Sequence, residues 1–428
     1  MKKISFIIPS RNNLKYLKQA YESIRKNSSV EHEICIADDF SDDGTMEQVL
    51  VWMKRDKNIK FHRNHGPTRL GHTILYDTLI NDYATHDVVM IFHADMYLCP
   101  KSDEAIYKHL EPGKVVSLTR IEPPLHPDGP EKVLEDFGIE PEEFDEEALL
   151  KKVTSLQLMH GTDYNFAKFT EGIFAPWAIY KEDFQSIGGH DPLYAPQSKE
   201  DSDIFNRFVL AGYELVQTWQ GFVYHMTCRG SRFKDGALRN PAGQVFMKGR
   251  ESTEWLEQNL RSTRNFIRKW GHMVKHDDMM YPIIPPKYDI GFIAKNCDEN
   301  LLRELEPWCD CIYVEDIDII KKYISEEQKN TDFDLTKIVK LYDATKENKS
   351  VDSLMKLNSR LKSTLDWKNH DILVEFDTKL LNSDNFQHIV NLAQIIESSA
   401  QIGKFSLDIF EFKIKSLKTY EKDLILRK

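Results

Sequence analysis

The sequence predicts an α/β protein built on a mostly parallel sheet, and three features carry that expectation. Apolar runs of strand length alternate with helical segments through the first hundred residues. Polar clusters recur at the carboxyl ends of those runs, and the alternation resumes after a proline-rich break near residue 280. A βαβαβ order implies right-handed crossovers with helices on both faces of the sheet. In such sheets ligands collect at the carboxyl ends of strands.

The first strand is "KISFIIP", a short continuous apolar run. From Asn13 to Lys26 the pattern is helical, with Leu17, Ala20, Tyr21 and Ile24 on one face. "EICIADD" is the second strand. A helix near residues 45 to 54 follows, with Met46, Val49, Leu50 and Met53 in phase and Ser41 and Asp42 as caps. "NIKFHRN" and "DVVMIFHAD" are the third and fourth strands. Their polar ends are Pro9 to Asn12, Asp38 to Asp43, Arg63 to His65, and His93 to Asp95.

Glu131 to Glu147 is strongly acidic, with Pro141, Glu142 and Glu143 suited to a helix first turn. It fits a solvated surface helix or an acidic docking surface. The block from Glu171 to His225 contains a strand, a helix, a Gly188–Gly189 turn, the helix "EDSDIFNRFVLAG" and a strand ending at His225. Residues 251 to 270 are helical in pattern, and "MMYPIIPPKYD" marks a linker.

Beyond the linker, "YDIGFIA", "CDCIYVED", "DILVEFD" and "KFSLDIFEFKI" are strands separated by helical stretches. The clearest helix runs from Asp384 to Ala400, with Phe386, Ile389, Val390, Ala393 and Ile396 on one face. In the last strand the apolar parity switches from Phe405, Leu407 and Ile409 to Phe410, Phe412 and Ile414. That switch predicts a bulge or strong bend near 409–410.

The totals exclude several classes. At 428 residues, 41% hydrophobic and 29% charged, the chain has room for two or three ordinary globular domains. A net charge of −11 argues against nucleic-acid binding through phosphate contacts. The early apolar run breaks at Pro9, too short for a signal peptide, and no stretch approaches a membrane span, so a cytoplasmic location is expected. The six cysteines form no CxxC pair and are expected to be reduced, mostly buried thiols.

Several Asp and His side chains at a sheet edge suggest a divalent cation and a phosphorylated ligand, with Mg²⁺ or Mn²⁺ neutralising a diphosphate. "IIPSRNNLKYL" has no glycine after the first strand. It is therefore neither a dinucleotide fingerprint nor a Walker loop, which counts against a Rossmann dehydrogenase, a P-loop kinase and a sugar-phosphate nucleotidyltransferase.

Five segments, in order and in rough spacing, resemble family 2 glycosyltransferases. They are "ISFIIPSRNNLKYLKQAYESI", "EICIADDFSDDGT", "VVMIFHADMYLCP", "GGHDPLYAPQSKEDSDIFNRFVLAGYELVQ" and "GFVYH". The resemblance covers residues 1 to about 230. It implies a GT-A fold, Rossmann-like with helices on both faces of a mostly parallel sheet. It also implies a UDP- or GDP-linked sugar as donor, a hydroxyl of a glycan or glycolipid as acceptor, and inversion at the anomeric carbon.

Carried over residue by residue, the resemblance assigns Pro9, Ser10, Arg11 and Asp39 to the nucleotide, Asp39 as the base reader. His93-Ala94-Asp95 stands where the family usually has Asp-x-Asp. Asp95 keeps the metal role, and His93 either bonds a ribose hydroxyl or serves as a neutral metal ligand. His225 is the second metal ligand and Asp201 the general base, with Glu200 supporting the loop or meeting an acceptor hydroxyl. Gly71 occupies the family's usual Arg position, so Arg69 or His72 is expected to reach the diphosphate. Trp177 is expected in the acceptor pocket, and Arg229 and Arg232 as a lid.

The expected domains are a GT-A catalytic domain (1–230), a helical extension with linker (231–285), and a smaller C-terminal α/β domain (286–428) of unassigned role that could pair copies of the chain. A retaining transferase on the same fold and a non-catalytic sugar-nucleotide or glycan-binding module are the alternatives. Product anomericity separates the first, and indifference to Asp201→Asn would favour the second.

Overall fold

The computed structural model describes residues 2–160, 168–170, 174–227, 236–247, 252–342 and 369–427. Arg229 and Arg232 lie outside the described residues. The chain divides into two compact units. The first comprises Met1–Asn259, Lys275–Ile283 and Ile425–Lys428, and the second comprises Leu260–Val274 and Ile284–Leu424.

The first unit begins β1 (Lys3–Ser10), α1 (Leu14–Asn27), β2 (Glu31–Asp39), α2 (Thr45–Arg55), β3 (Ile59–Asn64), α3 (Gly71–Thr78), β4 (Val88–Ile91) and β5 (Met96–Leu98). It continues α4 (Ser102–His109), β6 (Lys114–Glu122), β7 (Lys132–Leu134), α5 (Glu146–His160), β8 (Phe169–Thr170), β9 (Trp177–Tyr180) and α6 (Lys181–Ser186). Then come α7 (Glu200–Leu210), β10 (Glu214–His225), β11 (Ala237–Arg239) and β12 (Val245–Met247), the last two forming a separate ribbon. α8 (Thr253–Trp270) begins in the first unit and from Leu260 onward belongs to the second.

The main sheet has the order β3-β2-β1-β4-β9-β6-β10-β5. β3, β2, β1 and β4 are mutually parallel. β9 runs antiparallel between β4 and β6, and β10 runs parallel to β6. β1 is buried on both faces, which explains its unbroken apolar run. The strand order reverses beside β1, so its carboxyl end opens a crevice next to that of β4.

α1 buries Tyr16, Leu17, Ala20 and Ile24 as a helical stripe, while Tyr21 is half-buried and stacks on Trp52 at 4.3 Å. The caps expected for α2 are not Ser41 and Asp42. Ser41 Oγ instead accepts from the Asn12 amide (2.9 Å), and Asp42 is exposed. Gly44 takes the cap position with φ 86°, and Asp43 accepts from the Thr45 amide at 3.2 Å. A two-residue advance of the turn moved the cap.

The acidic segment is a short turn at Pro141–Glu143 followed by α5, and much of its charge is paired. Arg239 bonds Asp136 (2.6 Å) and Glu143 (2.8 Å), Lys26 bonds Glu146 (2.6 Å), and Lys152 meets Glu135 (2.5 Å). These links spend the charges locally.

The second unit contains β13 (Ile290–Lys295), α9 (Glu299–Leu305), β14 (Cys311–Val314), α10 (Ile317–Glu327), α11 (Leu335–Ile338) and β15 (Val339–Leu341). After these come β16 (Ile372–Asp377), α12 (Ser383–Val390), α13 (Leu392–Ser399), β17 (Gly403–Leu407) and β18 (Phe410–Ile414). Its sheet order is β15-β14-β13-β16-β18-β17, parallel from β15 to β16 and antiparallel beyond.

Two expectations are corrected here. The helix over 384–400 is two helices meeting at Asn391. The parity switch near 409 is a hairpin rather than a bulge. Leu407 faces Phe410, leaving Asp408 and Ile409 as the turn, with Asp408 in the left-handed region at φ 51°. A two-residue turn and a bulge shift parity alike, so the apolar pattern alone does not separate them.

Five cysteines are free and buried, and Cys228 lies outside the described residues. Among the described residues no helix is long and apolar enough to cross a membrane.

Candidate active site

The carboxyl ends of β1, β2 and β4 and the amino ends of α3 and α7 surround a cavity of about 480 Å³. Pro9, Ser10, Arg11, Asp39, Arg69, His72, His93, Ala94, Asp95, Glu200, Asp201 and His225 all line it. Segments more than two hundred residues apart in sequence are thereby brought to one place.

His93, Asp95 and His225 each offer a ligand atom, and the three atoms lie within 4.8 Å of one another. Chain geometry explains the convergence. β4 ends at Ile91, His93 and Asp95 follow on the turn into β5, and β5 pairs antiparallel with β10, so that His225 faces Met96. The Met226 amide donates to the Asp95 carbonyl at 3.0 Å, locking that turn to the end of β10. His225 Nε2 is 3.4 Å from Asp95 Oδ1, and the His93 and His225 rings are 5.4 Å apart. Two imidazoles and a carboxylate are a donor set that suits a borderline divalent cation.

The electrostatics follow from burial and pairing. Burial and the neighbouring His225 push His93 down to about 3, which leaves its ring neutral. Burial opposes charge on His225, but the Asp95 and Glu122 carboxylates outweigh it and lift His225 to about 9. Burial likewise opposes the Asp95 charge, and His225 overrides it to hold that carboxyl below the ordinary range.

Asp201 lies in the first turn of α7, which Glu200 opens after Ser198 and Lys199, both in the left-handed region (φ 82° and 74°), a pair of strained residues at the helix start beside the cavity. Its carboxylate makes no hydrogen bond or ion pair among the described residues. Burial and the adjacent Glu200 raise Asp201 to about 6. Glu200 is held low, against its burial, by His72, whose Nε2 lies 2.5 Å from Glu200 Oε1. A half-buried carboxylate with a raised pKa and no hydrogen-bond partner among the described residues is equipped to take up a proton.

At the other end of the cavity Asp39 is buried and already engaged. It accepts from Asn64 Nδ2 (2.7 Å) and from the Leu70 (3.0 Å) and Gly71 (2.8 Å) amides. Asp39 therefore satisfies the start of α3, not α2, while still lining the cavity. Gly71 has φ 76°, and a Cβ there would lie 2.0 Å from the Pro196 carbonyl. This close approach excludes an arginine at that position. Arg69 stands in the cavity instead, donating to Gln197 Oε1 at 2.8 Å. Ser10 Oγ is buried without a hydrogen-bond partner among the described residues.

Trp177 is a correction. It is fully buried on β9, ringed by Phe184, His190, Phe205 and Phe208, and does not line the cavity. β9 is a central strand covered on both faces, so its aromatic packs the core and cannot stack on a sugar.

Sequence reasoning also missed β6 and the two charged residues at its end, Arg120 and Glu122. Arg120 Nη1 is 3.0 Å from Glu122 Oε1, Arg120 Nη2 is 3.2 Å from Glu131, and Lys132 Nζ is 2.9 Å from Glu131. All four line the cavity, as does Phe174, whose ring lies 4.2 Å from the Arg120 guanidinium. The signal was present in "KVVSLTRIE", a β-branched run whose last two charges, Arg120 and Glu122, share one parity.

No curated protein sequence matches the chain. Among solved structures it is similar to GalNAc-T7 crystallised with UDP, GalNAc and Mn²⁺. That match has 15% identity and TM-score 0.42, and covers 61% of this chain and 48% of that one. It is also similar to S. aureus TarS 1-349 in complex with UDP, with 14% identity and TM-score 0.37, covering 52% of this chain and 60% of that one. The chain thus spans about half to three-fifths of the length of these two. The model described as "Glycosyl transferase family 2" matches residues 5–167, a span that includes Pro9, Asp39, Asp95 and Arg120, whereas Asp201 and His225 lie beyond it. The alternating strands and helices and the parallel β3-β2-β1-β4 core agree with this match, which makes residues 5–167 similar to the family 2 glycosyltransferases.

Proposed function

We infer that the first unit transfers a sugar from a nucleotide diphosphate to an acceptor hydroxyl with inversion, in a cation-dependent reaction. The observation that carries this reading is one cavity holding both the His93–Asp95–His225 donor set and the unpaired, raised carboxyl of Asp201.

Asp95 and His225, with His93 as a third ligand, would hold a divalent cation of the Mn²⁺ or Mg²⁺ kind. The two imidazoles favour Mn²⁺ over Mg²⁺, which prefers oxygen. Such an ion supplies charge neutralisation at a diphosphate leaving group. The chain's own residues supply the rest. Arg11 and Arg69 face the same cavity and add positive charge where a diphosphate would lie. Pro9, Ser10 and Ala94 form the floor at the ends of β1 and β4, and Ser10 Oγ is free to bond a nucleotide. Asp39 and its clasp on α3 shape the far end, where a UDP or GDP base would sit.

Asp201 accepts the acceptor hydroxyl's proton as that oxygen attacks the anomeric carbon in line. Glu200, its charge secured by His72, keeps the Asp201 proton affinity high enough to serve near neutral pH. A glycan or glycolipid hydroxyl is the acceptor class.

The test is calorimetric titration with UDP and GDP, each with and without Mn²⁺, followed by a screen of matching sugar nucleotides for hydrolysis. Manganese-dependent binding of one nucleotide, lost in Asp95→Ala, is the expected result. Absence of binding to either nucleotide in any metal condition overturns the reading. Retained anomeric configuration in the product, read by NMR, overturns inversion alone.

A further inference from the structure

The donor set raises a question that its three members do not answer: what fixes the His225 ring? An imidazole can rotate by half a turn about its Cβ–Cγ bond, which exchanges Nε2 with a carbon. A ring so turned offers no lone pair to Asp95's side of the cavity. Something must hold the working orientation.

Glu122 is placed to do so. It ends β6, β6 pairs in parallel with β10, and Tyr224 faces Ile121, so Glu122 and His225 leave the sheet side by side. Glu122 Oε1 lies 2.8 Å from His225 Nδ1, and the Glu122 side chain is 2% exposed. Arg120 Nη1 holds the same carboxylate oxygen at 3.0 Å, and Arg120 is itself anchored by Glu131 at 3.2 Å. The far ring nitrogen, Nε2, is the one turned to Asp95.

We propose that Glu122 is a positioning residue, which accepts the Nδ1–H of His225 and thereby directs Nε2 into the His93–Asp95–His225 set for a divalent cation. The inference rests on the cation-dependent reading given above. A carboxylate behind a ligating imidazole fixes its tautomer and raises its basicity, and removing such a partner typically weakens metal binding by about 10- to 100-fold. Glu131 supplies the contrast, because it holds the same arginine but is not bonded to His225.

The experiment titrates Mn²⁺ calorimetrically into the full chain saturated with UDP, comparing wild type, Glu122→Gln and Glu131→Gln, with thermal unfolding recorded for each. The expected result is a loss of about 10-fold or more in Mn²⁺ affinity for Glu122→Gln, with Glu131→Gln within about twofold of wild type and metal-free UDP binding equal in all three. Equal Mn²⁺ affinity in wild type and Glu122→Gln overturns the proposal, as does an equal loss in both variants. Wild type that binds neither Mn²⁺ nor UDP overturns the underlying reading as well, so the two failures are distinct. If Glu122→Gln does not fold, histidine-selective ¹⁵N NMR of the wild-type protein with diamagnetic Zn²⁺ decides. A retained Nδ1–H on His225, assigned by its absence in His225→Ala, supports the proposal, and a proton on Nε2 overturns it.

Discussion

The most searching perturbation is Glu200→Gln, because it should move a catalytic pKa without touching the base itself. Asp201 stands at about 6, with burial the largest cause and the Glu200 charge the next. A base with that pKa is about nine-tenths deprotonated at about pH 7 and about one-tenth at about pH 5. Removing the Glu200 charge leaves the burial effect and deletes the repulsion, so the pKa falls. Were it to return fully to 3.8, the deprotonated fraction at about pH 5 would rise by about tenfold, which bounds the effect. Because burial remains, a gain of several-fold relative to the plateau is expected. The assay is nucleotide release from the donor sugar identified by the screen, from about pH 4.5 to 8, at Mn²⁺ saturation verified at each pH. The acidic limb should shift to lower pH in Glu200→Gln. A limb that stays in place, or moves up, refutes the coupling of Asp201 to Glu200 and with it the assignment of the base.

Other expectations follow from the same geometry. Asp201→Asn should lower the rate by about 10²- to 10⁴-fold yet raise stability at neutral pH. A carboxyl whose folded pKa lies above its unfolded value binds more protons when folded, so its contribution falls as pH rises from about 4 to about 6. Relief of that penalty is worth on the order of 1–3 kcal/mol, checked by urea unfolding at about pH 5 and pH 7.5. His225→Ala should abolish Mn²⁺-dependent nucleotide binding while leaving the fold intact, as read by calorimetry and circular dichroism. Gly71→Ala should cost about 1–3 kcal/mol in backbone strain alone and displace the 196 loop from α3, weakening nucleotide affinity. Trp177→Ala should cost about 3–5 kcal/mol of stability. Any effect on an acceptor KM beyond that of partial unfolding would contradict its placement in the core.

The sequence by itself determined the parts that depend on local pattern and on chain order. Continuous apolar runs gave the central strands, helical periodicity gave α1, α2 and α7, and turn chemistry put the polar clusters at strand ends. The strand-end position of His93 and Asp95 followed from the same pattern, because a strand buried on both faces must end where its polar residues begin. Where two backbone solutions share one pattern, the sequence was ambiguous. A hairpin and a bulge both reverse parity at Asp408–Ile409, and Ser41 and Asp42 offered caps for α2 where Gly44 takes that position.

Only the tertiary structure decided which side chains meet. That Asp95 lies beside His225 depends on β5 folding back onto β10, a long-range pairing with no local signature. Trp177 left its expected place, and Arg120 entered the cavity with none assigned to it, for a similar reason. Burial is set by what covers a strand: β9 is covered on both faces, while β6 ends at the cavity. Hydrogen bonding between distant segments is equally silent in sequence, so the engagement of Asp39 by α3 and of His225 by Glu122 became visible only when the sheet brought the partners within 3 Å.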